Sequence, residues 1–429
     1  MLLELVQVAL GKRKCLSRQM TDREWMLVYE DAWKQSVAGI CFSAVQRLSE
    51  EQRPPEDLYW QWLGDVAQIQ EQNRLMDKRT AEVWQRLKQA GLDAAVLKGQ
   101  GIAAMYDVRG KKDDVRSKRD DVRGKKDDVR SKRDDVRGKK DDVRSKRDDV
   151  NLGALRQSGD IDIWVKGGYR KVCEYVQKTH PTDDVAYHRF HYDCYEDTEV
   201  ELHHRPTLMR NLFDDRKLAR WYDSFGADSF VYLEDKGFAV PPAAFNRIFI
   251  LTHIYRHFLF EGIGLRQIVD YYFVLSAQNK GRCQMEDVRK TLRELRLMRF
   301  AEAMMWILHT QLGLEKQYLI CGINEKEGRF VLSEIAQTGN FGQGDKRYQR
   351  WRTWRRMTVH GAHLLMHYPS EVLWTPFWLV YHKIWKWNKK RLIRKVTHHM
   401  SVRQCQDKLV PLPPFKLLQQ WRQRNISRK

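Results

Sequence analysis

The sequence has no apolar run long enough to span a bilayer and no cysteine pattern typical of a disulfide framework or a zinc site. No stretch of 18 apolar residues occurs among its 429, so a transmembrane helix is not expected. The opening MLLELVQVALGKRK has Glu4 within its apolar part and its basic residues afterwards, the wrong order for a secretory signal peptide. The seven cysteines are scattered without a C-x-x-C pair, which favours reduced thiols. These absences predict a cytoplasmic protein.

Negative charge is scarce relative to positive charge. The chain has 77 Lys and Arg against 56 Asp and Glu, a net charge of +21. Such an excess indicates an anionic partner, which a nucleotide, a nucleic acid, an acidic glycan or a membrane surface would each satisfy. The hydrophobic content of 42% is enough for packed cores, so a disordered protein is excluded.

A charged repeat occupies residues 107–148, where DVRGKKDDVRSKRD occurs three times. Each copy is two similar heptads with a single apolar position per heptad, whereas a coiled coil needs two. We therefore predict that residues 107–150 form a solvated, low-complexity insertion, with a nucleic-acid-binding arm as the alternative. Without the repeat, AAMYD would continue directly into VNLGALRQSGDIDIWV.

Helix-type spacing of apolar residues marks both ends of the chain. It runs from Glu24 to about Ala90, with an interruption at Pro54 and Pro55, and resumes from Pro241 onward. Between these ends, the segments DAAVLK, DIDIWV, HRFHYDCY and TEVELHHR are short apolar or alternating runs that predict strands. The last two should pair as a hairpin.

This order of elements predicts an α+β protein with a small mixed sheet flanked by helices. We divide it into an N-terminal helical region at 1–90, a compact core at 91–235 that carries the insertion, and a C-terminal helical domain at 236–429. The basic, tryptophan-rich stretch 377–396 near the end fits three interpretations: the outer face of a helical domain, a phosphate-binding patch, or a helix on a membrane surface.

Two aspartates one residue apart lie in the strand DIDIWV. On a strand, Asp160 and Asp162 point to one face while Ile161 and Ile163 point to the other. Two carboxylates this close repel each other, and a fold tolerates them more readily when a cation lies between them. The pattern therefore raises the prospect of a metal site.

A third carboxylate comes from the strand TEVELHHR, in which Glu199, Glu201 and His203 share one face. If this strand lies beside DIDIWV, one glutamate completes a cluster of three carboxylates. Such a cluster holds two Mg²⁺ ions about 4 Å apart, one activating an attacking hydroxyl and one holding a triphosphate. His203 would then be a hydrogen-bonding partner of Glu201.

A glycine turn between a strand and a helix is predicted in VLKGQGIAAMY. Lys98 and Gly99 lie where the strand ends and the helix begins. Glycine there lets a phosphate approach the backbone, and a helix N-terminus favours negative charge. The turn is a candidate for binding the phosphates of a nucleotide.

Together these motifs resemble a known superfamily. The series K-G-x-x-apolar, a short helix, R-x-x-G-D-I-D-apolar and a later strand with E-L-H is similar to the DNA polymerase β-type nucleotidyltransferases. Within them it most resembles the large bacterial family known only as uncharacterised nucleotidyltransferases. The resemblance covers about residues 90–205 without the repeat, and LTHIYRH, GLRQIVDYYFVL and GNFG (339–342) match in style further on.

The resemblance implies roles for individual residues. Asp160 and Asp162 are the expected metal-binding and catalytic pair, and Glu201 is the third carboxylate, with Glu199 as its alternative. The residues expected to bind the nucleotide are Lys98, Gly99, Arg156 and Gly159.

The same resemblance implies a reaction. It is the Mg²⁺-dependent transfer of a nucleoside monophosphate from a nucleoside triphosphate, with ATP favoured, to a hydroxyl acceptor on a small molecule, sugar or protein. The alternatives are a nucleotide-binding module without activity, and a nucleic-acid-binding protein that uses its basic surface and the repeat.

Two helical motifs receive more ordinary interpretations. His253 and His257 lie one turn apart, but without the Glu of H-E-x-x-H we expect packing or hydrogen-bonding roles rather than a metal site. Arg266 and Asp270 are spaced for an ion pair within one helix, with a minor role in orienting substrate as the alternative.

Overall fold

Helices form the beginning of the chain, as the spacing predicts. The computed structural model describes residues 1–106, 151–277, 284–338, 361 and 363–409. The repeat and GNFG therefore lie outside the described residues. The first helices are α1 (Leu2–Ala9), α2 (Asp22–Lys34), α3 (Ala38–Val45) and α4 (Glu56–Gln89).

Local sequence signals explain where these helices begin and end. The Thr21 hydroxyl accepts a hydrogen bond from the Glu24 backbone N–H while the Glu24 side chain accepts one from the Thr21 N–H, which starts α2 with a capping box. Helix α4 begins directly after Pro55 and runs for 34 residues. It is followed by Gly91, whose φ of 71° is a left-handed conformation that terminates helices.

A four-stranded mixed sheet follows α4. Its strands are β1 (Ala94–Val96), β2 (Ile161–Val165), β3 (Arg189–His191) and β4 (Val200–His203), in the spatial order β1-β2-β4-β3. The β3–β4 pair is the antiparallel hairpin that the alternation predicts, and β2 lies parallel to β4. The fold is therefore α+β with a small mixed sheet.

Short elements connect and extend the sheet. They are α5 (Gln100–Ala103), α6 (Gly168–Thr179), α7 (Leu212–Asp223) and a separate hairpin of β5 (Val231–Leu233) and β6 (Phe238–Val240). The helix predicted after the glycine turn is thus a single turn, whereas α6 has the length that its pattern indicates. Its apolar positions Val172 and Val176 are fully buried.

The remaining described helices follow the second hairpin. They are α8 (Ala243–Phe260), α9 (Leu265–Ser276), α10 (Gln284–Glu294), α11 (Met298–Trp306), α12 (Glu325–Thr338) and α13 (Pro369–Leu409). None of the helices in these ranges is long and apolar enough to cross a membrane.

Two hydrophobic cores hold these elements together. One joins α1, α3 and α4 to α8, α9 and α11, so helices from before and after the sheet share it. The other lies under one face of the sheet and combines strand residues with α4 and α6. The division of the chain at residues 90 and 235 stays a prediction.

Part of the tryptophan-rich stretch packs on the protein itself. Trp385 of α13 contacts the rings of Tyr169 and Tyr187, with centroids 5.8 and 5.1 Å away, and Trp378 is buried. Trp387 is exposed, at 60% of its surface. Trp378 and Trp385 therefore pack against the rest of the protein, and Trp387 does not. Contact of this stretch with a membrane surface stays a prediction.

Candidate functional site

The parallel pairing of β2 with β4 brings two carboxylates side by side. The register aligns Asp162 with Glu201 and Ile163 with Leu202. Because side chains alternate along a strand, the aligned carboxylates share one face of the sheet, and the aligned apolar residues lie in the core beneath the other. The strand that carries Glu201 therefore lies beside the D-I-D strand, as predicted.

His203 connects the two carboxylates. Its Nε2 lies 2.7 Å from Asp162 Oδ1 and 3.2 Å from Glu201 Oε2. Burial lowers the pKa of His203 and outweighs the opposing effect of Asp162, so the imidazole is neutral at pH 7. A neutral ring with its proton on Nε2 donates between the two carboxylates and fixes their separation.

Lys98 reaches the same carboxylates from the glycine turn. Its Nζ forms an ion pair with Asp162 Oδ2 at 2.9 Å and lies 3.9 Å from Asp160 Oδ2. Burial disfavours the charged form of Asp162, but Lys98 and His203 outweigh it and hold its pKa below the usual range. Asp162 is therefore ionised.

The turn itself is set by backbone geometry. The Leu97 N–H donates to the Asp162 carbonyl oxygen at 2.9 Å, which continues the pairing of β1 with β2 up to the turn. Gly99 then has φ 56°, which glycine adopts without strain. A Cβ atom at this position would lie 3.3 Å from the Asp160 carbonyl oxygen, closer than most such contacts. The turn and the aspartate pair are thus in direct backbone contact.

Within the described ranges, Asp162, Glu201 and His203 form the group that could hold a metal ion. One ligand atom from each lies within 4.8 Å of the others, and all three residues are buried. Asp160 precedes β2, and its side chain is 35% exposed. It does not belong to this group of three, but Lys98 lies between it and Asp162 and contacts both carboxylates. Carboxylate oxygens suit Mg²⁺ and Mn²⁺, whereas an imidazole nitrogen suits Zn²⁺ better.

The two glutamates of β4 differ in their surroundings. Glu201 is buried and forms an ion pair with Arg189 of β3. The Glu199 side chain is 56% exposed and its Oε1 lies 3.9 Å from Arg189 Nη1. Glu201 is thus the glutamate placed beside Asp162, while the catalytic role of either residue stays a prediction.

Arg156 is tightly paired. Its Nε and Nη2 donate to the two carboxylate oxygens of Asp270 at 2.7 and 2.9 Å, and the Tyr106 hydroxyl donates to the same carboxylate at 2.7 Å. Asp270 therefore pairs with the buried Arg156 from another segment, and not with Arg266 of its own helix as the spacing predicts. Arg266 instead donates to the Gln157 carbonyl oxygen at 2.8 Å. The nucleotide-binding role of Arg156 stays a prediction.

Lys98, Asp160, Arg156, Glu201 and His203 line a cavity of about 410 Å³. Gly159, expected to bind the nucleotide, lies on its wall, where an added Cβ would be 3.7 Å from Arg266 Nη1. Basic and aromatic residues from other elements also line it, namely His188, Arg189, Arg256, Trp378 and His382. Trp378 and His382 belong to the stretch 377–396, for which a phosphate-binding patch is one interpretation, whereas sequence reasoning missed the other three. No periodicity links the five residues, because they come from β3 and its preceding loop, α8 and α13.

The histidine pair of α8 also faces this cavity. The rings of His253 and His257 have centroids 4.3 Å apart. His257 Nδ1 lies 2.6 Å from Glu261 Oε2, yet burial and the neighbouring Arg256 lower its pKa to about 4. His257 is therefore a hydrogen-bonding histidine and His253 packs against its ring at the edge of the site.

Two parallel strands that carry aligned carboxylates beside a glycine turn are typical of a nucleotidyltransferase core. Comparison of the chain with known protein families gives the same class. The model of the family described as uncharacterised nucleotidyltransferase matches residues 21–110 and 148–313, more than half of the chain. The chain belongs to this family, which confirms the resemblance inferred from its motifs. The match is interrupted within the repeat. No curated protein and no solved structure matches the chain.

Proposed function

We propose that the protein is a Mg²⁺-dependent nucleotidyltransferase that transfers a nucleoside monophosphate from a nucleoside triphosphate, with ATP favoured, to a hydroxyl acceptor. The observation that carries the proposal is the alignment of Asp162 with Glu201 on the polar face of the sheet, bridged by His203. Membership of the nucleotidyltransferase family supports the same class of reaction.

The residues present fit divalent metal chemistry. Asp162 and Glu201 would hold the metal, which when bound supplies positive charge to the triphosphate and to the attacking oxygen. Asp160, 3.9 Å from the same lysine that contacts Asp162, would complete the ligands from the exposed side. Lys98 is placed to neutralise phosphate charge at the glycine turn.

The proposed step is an in-line displacement at the α-phosphorus. The acceptor oxygen forms a bond to that phosphorus while the bond from it to the α–β bridging oxygen breaks, and pyrophosphate leaves. The proton of the acceptor hydroxyl passes to Glu201, which lies beside Asp162 and acts as the general base.

A second candidate is a nucleotide-binding module without turnover. One observation favours it: Lys98 and Arg189 already neutralise Asp162 and Glu201 by direct ion pairs. In that case binding of a nucleotide would not depend on Mg²⁺, and no label would be transferred.

Transfer of label from each α-labelled nucleoside triphosphate tests the proposal, with a cell extract as the source of acceptor. We expect transfer that requires Mg²⁺ and is lost when Asp160 and Asp162 are both changed to Asn. Glu174→Gln, which alters a surface carboxylate on α6, is the matched control and should keep full transfer. Transfer that survives the double aspartate change contradicts the mechanism, and nucleotide binding without transfer by the wild type supports the second candidate.

A comparison of Glu201→Gln with Glu199→Gln identifies the third carboxylate. We expect Glu201→Gln to lose transfer and Glu199→Gln to lose much less, because only Glu201 lies in register with Asp162. The reverse order would assign the role to Glu199.

A further inference from the structure

The arginines of the cavity differ in what balances their charge. Arg156 is paired with Asp270, and Arg189 with Glu201. Arg266 donates to backbone carbonyl oxygens. Arg256, on α8, contacts two histidines instead, with Nη1 3.3 Å from His188 Nε2 and Nη2 2.9 Å from His257 Nε2.

The chemistry of these contacts leaves positive charge in the cavity. A guanidinium has only donors, so Nε2 of each imidazole must accept, and each neutral ring carries its proton on Nδ1. Among the described residues Arg256 has one loose ion pair, with Glu261, whose Oε1 is 3.7 Å from Nη2 and whose side chain is 44% exposed. Nε of Arg256 is buried and has no hydrogen-bond partner among the described residues.

Burial and charge agree with this assignment. Burial, followed by Arg256, lowers the pKa of His188 well below its usual value, so that ring stays neutral beside the guanidinium. Burial also lowers the pKa of Arg256 itself, although Glu261 acts in the opposite direction. A desolvated cation of this kind is stabilised when an anion binds.

The position of Arg256 connects it to the carboxylate cluster. The rings of His188 and His203 have centroids 5.2 Å apart, and His203 contacts Asp162 at 2.7 Å. Arg256 is thus separated from the candidate metal ligands by one imidazole, and it lines the same cavity as Lys98. An anion several atoms long could contact Lys98 and Arg256 together.

We propose that Arg256, held between His188 and His257, binds the phosphate chain of the nucleoside triphosphate together with Lys98. This inference rests on the proposed function, because it names the residue that receives the triphosphate. A phosphate group on the acceptor would have the same chemistry, so the test must separate the two sources.

Calorimetric titration of the full chain with inorganic tripolyphosphate, ATP and adenosine, each with Mg²⁺, makes this separation. We expect Arg256→Gln to weaken tripolyphosphate and ATP binding by about 10- to 100-fold, the effect of losing a charged hydrogen-bonding partner. Arg170→Gln removes the same charge from the exposed surface of α6 and should change affinity less than about twofold, since exposed pairs contribute little. Unchanged ATP affinity in Arg256→Gln overturns the inference and leaves the acceptor as the source of the anion.

Two further variants guard against a folding artefact. Arg256→Lys keeps the charge without the two-pronged geometry and should bind more tightly than Arg256→Gln. Glu261→Gln removes the competing carboxylate and should tighten tripolyphosphate binding, which a misfolded protein cannot do. Equal weakening in Arg256→Gln and Glu261→Gln would show a structural role only. Absence of tripolyphosphate and ATP binding in the wild type would instead remove the proposed function.

Discussion

The two faces of strands β2 and β4 have opposite chemistry although they alternate within a few residues. One face buries Ile163 and Leu202 in the smaller core, and the other carries the fully buried Asp162 beside Glu201, which lines the cavity. Each pair is aligned across the same parallel ladder. The comparison shows that the apolar face determines where the carboxylates lie, because a one-residue shift of either strand would exchange the two faces.

The two faces also differ in what covers them. Helices α4 and α6 pack on the apolar face, whereas residues of α8 and α13 line the cavity above the polar face. The apolar side is filled by close packing, while the polar side retains a cavity of about 410 Å³. Substitutions on the apolar face should therefore change stability, and substitutions on the polar face should change activity.

The largest expected effect comes from a substitution on the polar face. Asp162→Asn should lower nucleotidyl transfer by about 10³-fold or more, the scale seen when a charged group is removed from an active site. The protein should remain folded, because Asn has the same shape and can still accept from His203. Transfer rate and thermal midpoint measured on the same sample check both parts. Normal transfer would contradict the catalytic part, and an unfolded variant would contradict the structural part.

The next effect breaks the apolar face. Ile163 is fully buried, so Ile163→Ala should lower the free energy of unfolding by about 2–5 kcal/mol through lost burial and the cavity left behind. Ile323→Ala, at a residue 52% exposed, is the matched control and should change stability by less than about 0.5 kcal/mol. Urea unfolding measures both. Loss of transfer per folded molecule in Ile163→Ala would show that the faces are not separable.

A pH effect should appear where α13 attaches beside the polar face. Glu371 accepts hydrogen bonds from the Arg210 and Asn211 backbone N–H groups at 2.7 and 3.3 Å. Burial nevertheless raises its pKa to about 7.

Because the folded state holds this proton more strongly than the unfolded chain, the stabilising contribution is complete below pH 4.5 and is lost as pH rises through 7. The loss should not exceed about 3 kcal/mol. Unfolding midpoints between pH 5 and 8 should fall less steeply in Glu371→Gln than in the wild type. Identical slopes would exclude Glu371 as the source.

The smallest expected effect concerns His203, which contacts both carboxylates of the polar face. His203→Gln should weaken Mn²⁺ binding by about 10- to 100-fold, the usual cost of losing a residue that orients metal ligands. His309→Gln is the matched control, because the His309 ring contacts the Leu314 carbonyl oxygen and does not line the cavity. Electron paramagnetic resonance of bound Mn²⁺ measures the affinity of each. Equal affinities in the two variants would remove His203 from the site.

Much of the site follows from local sequence alone. The alternation in DIDIWV and TEVELHHR predicts strands with acidic and apolar faces, and β3 with β4 forms the predicted hairpin. The glycine turn next to Lys98 is present at the expected place. These features depend on side-chain period and backbone conformation, which act within a few residues.

Other features required the folded chain. Arg156 pairs with a residue 114 positions away, although spacing within α9 favours a partner four residues from Asp270. Arg256 meets His188 across 68 positions, and α13 adds Trp378 to the cavity. No local pattern predicts these contacts, because each one joins segments that are far apart in the chain.

The sequence by itself determined which side chains alternate on each strand, where the glycine bend occurs and that both ends of the chain are helical. Only the tertiary structure decided that Asp162 lies beside Glu201 in a parallel register, that Asp270 neutralises Arg156, and that histidines surround Arg256. The reason is physical: periodicity is a property of neighbouring residues, whereas charge balance in a cavity depends on which distant segments pack together.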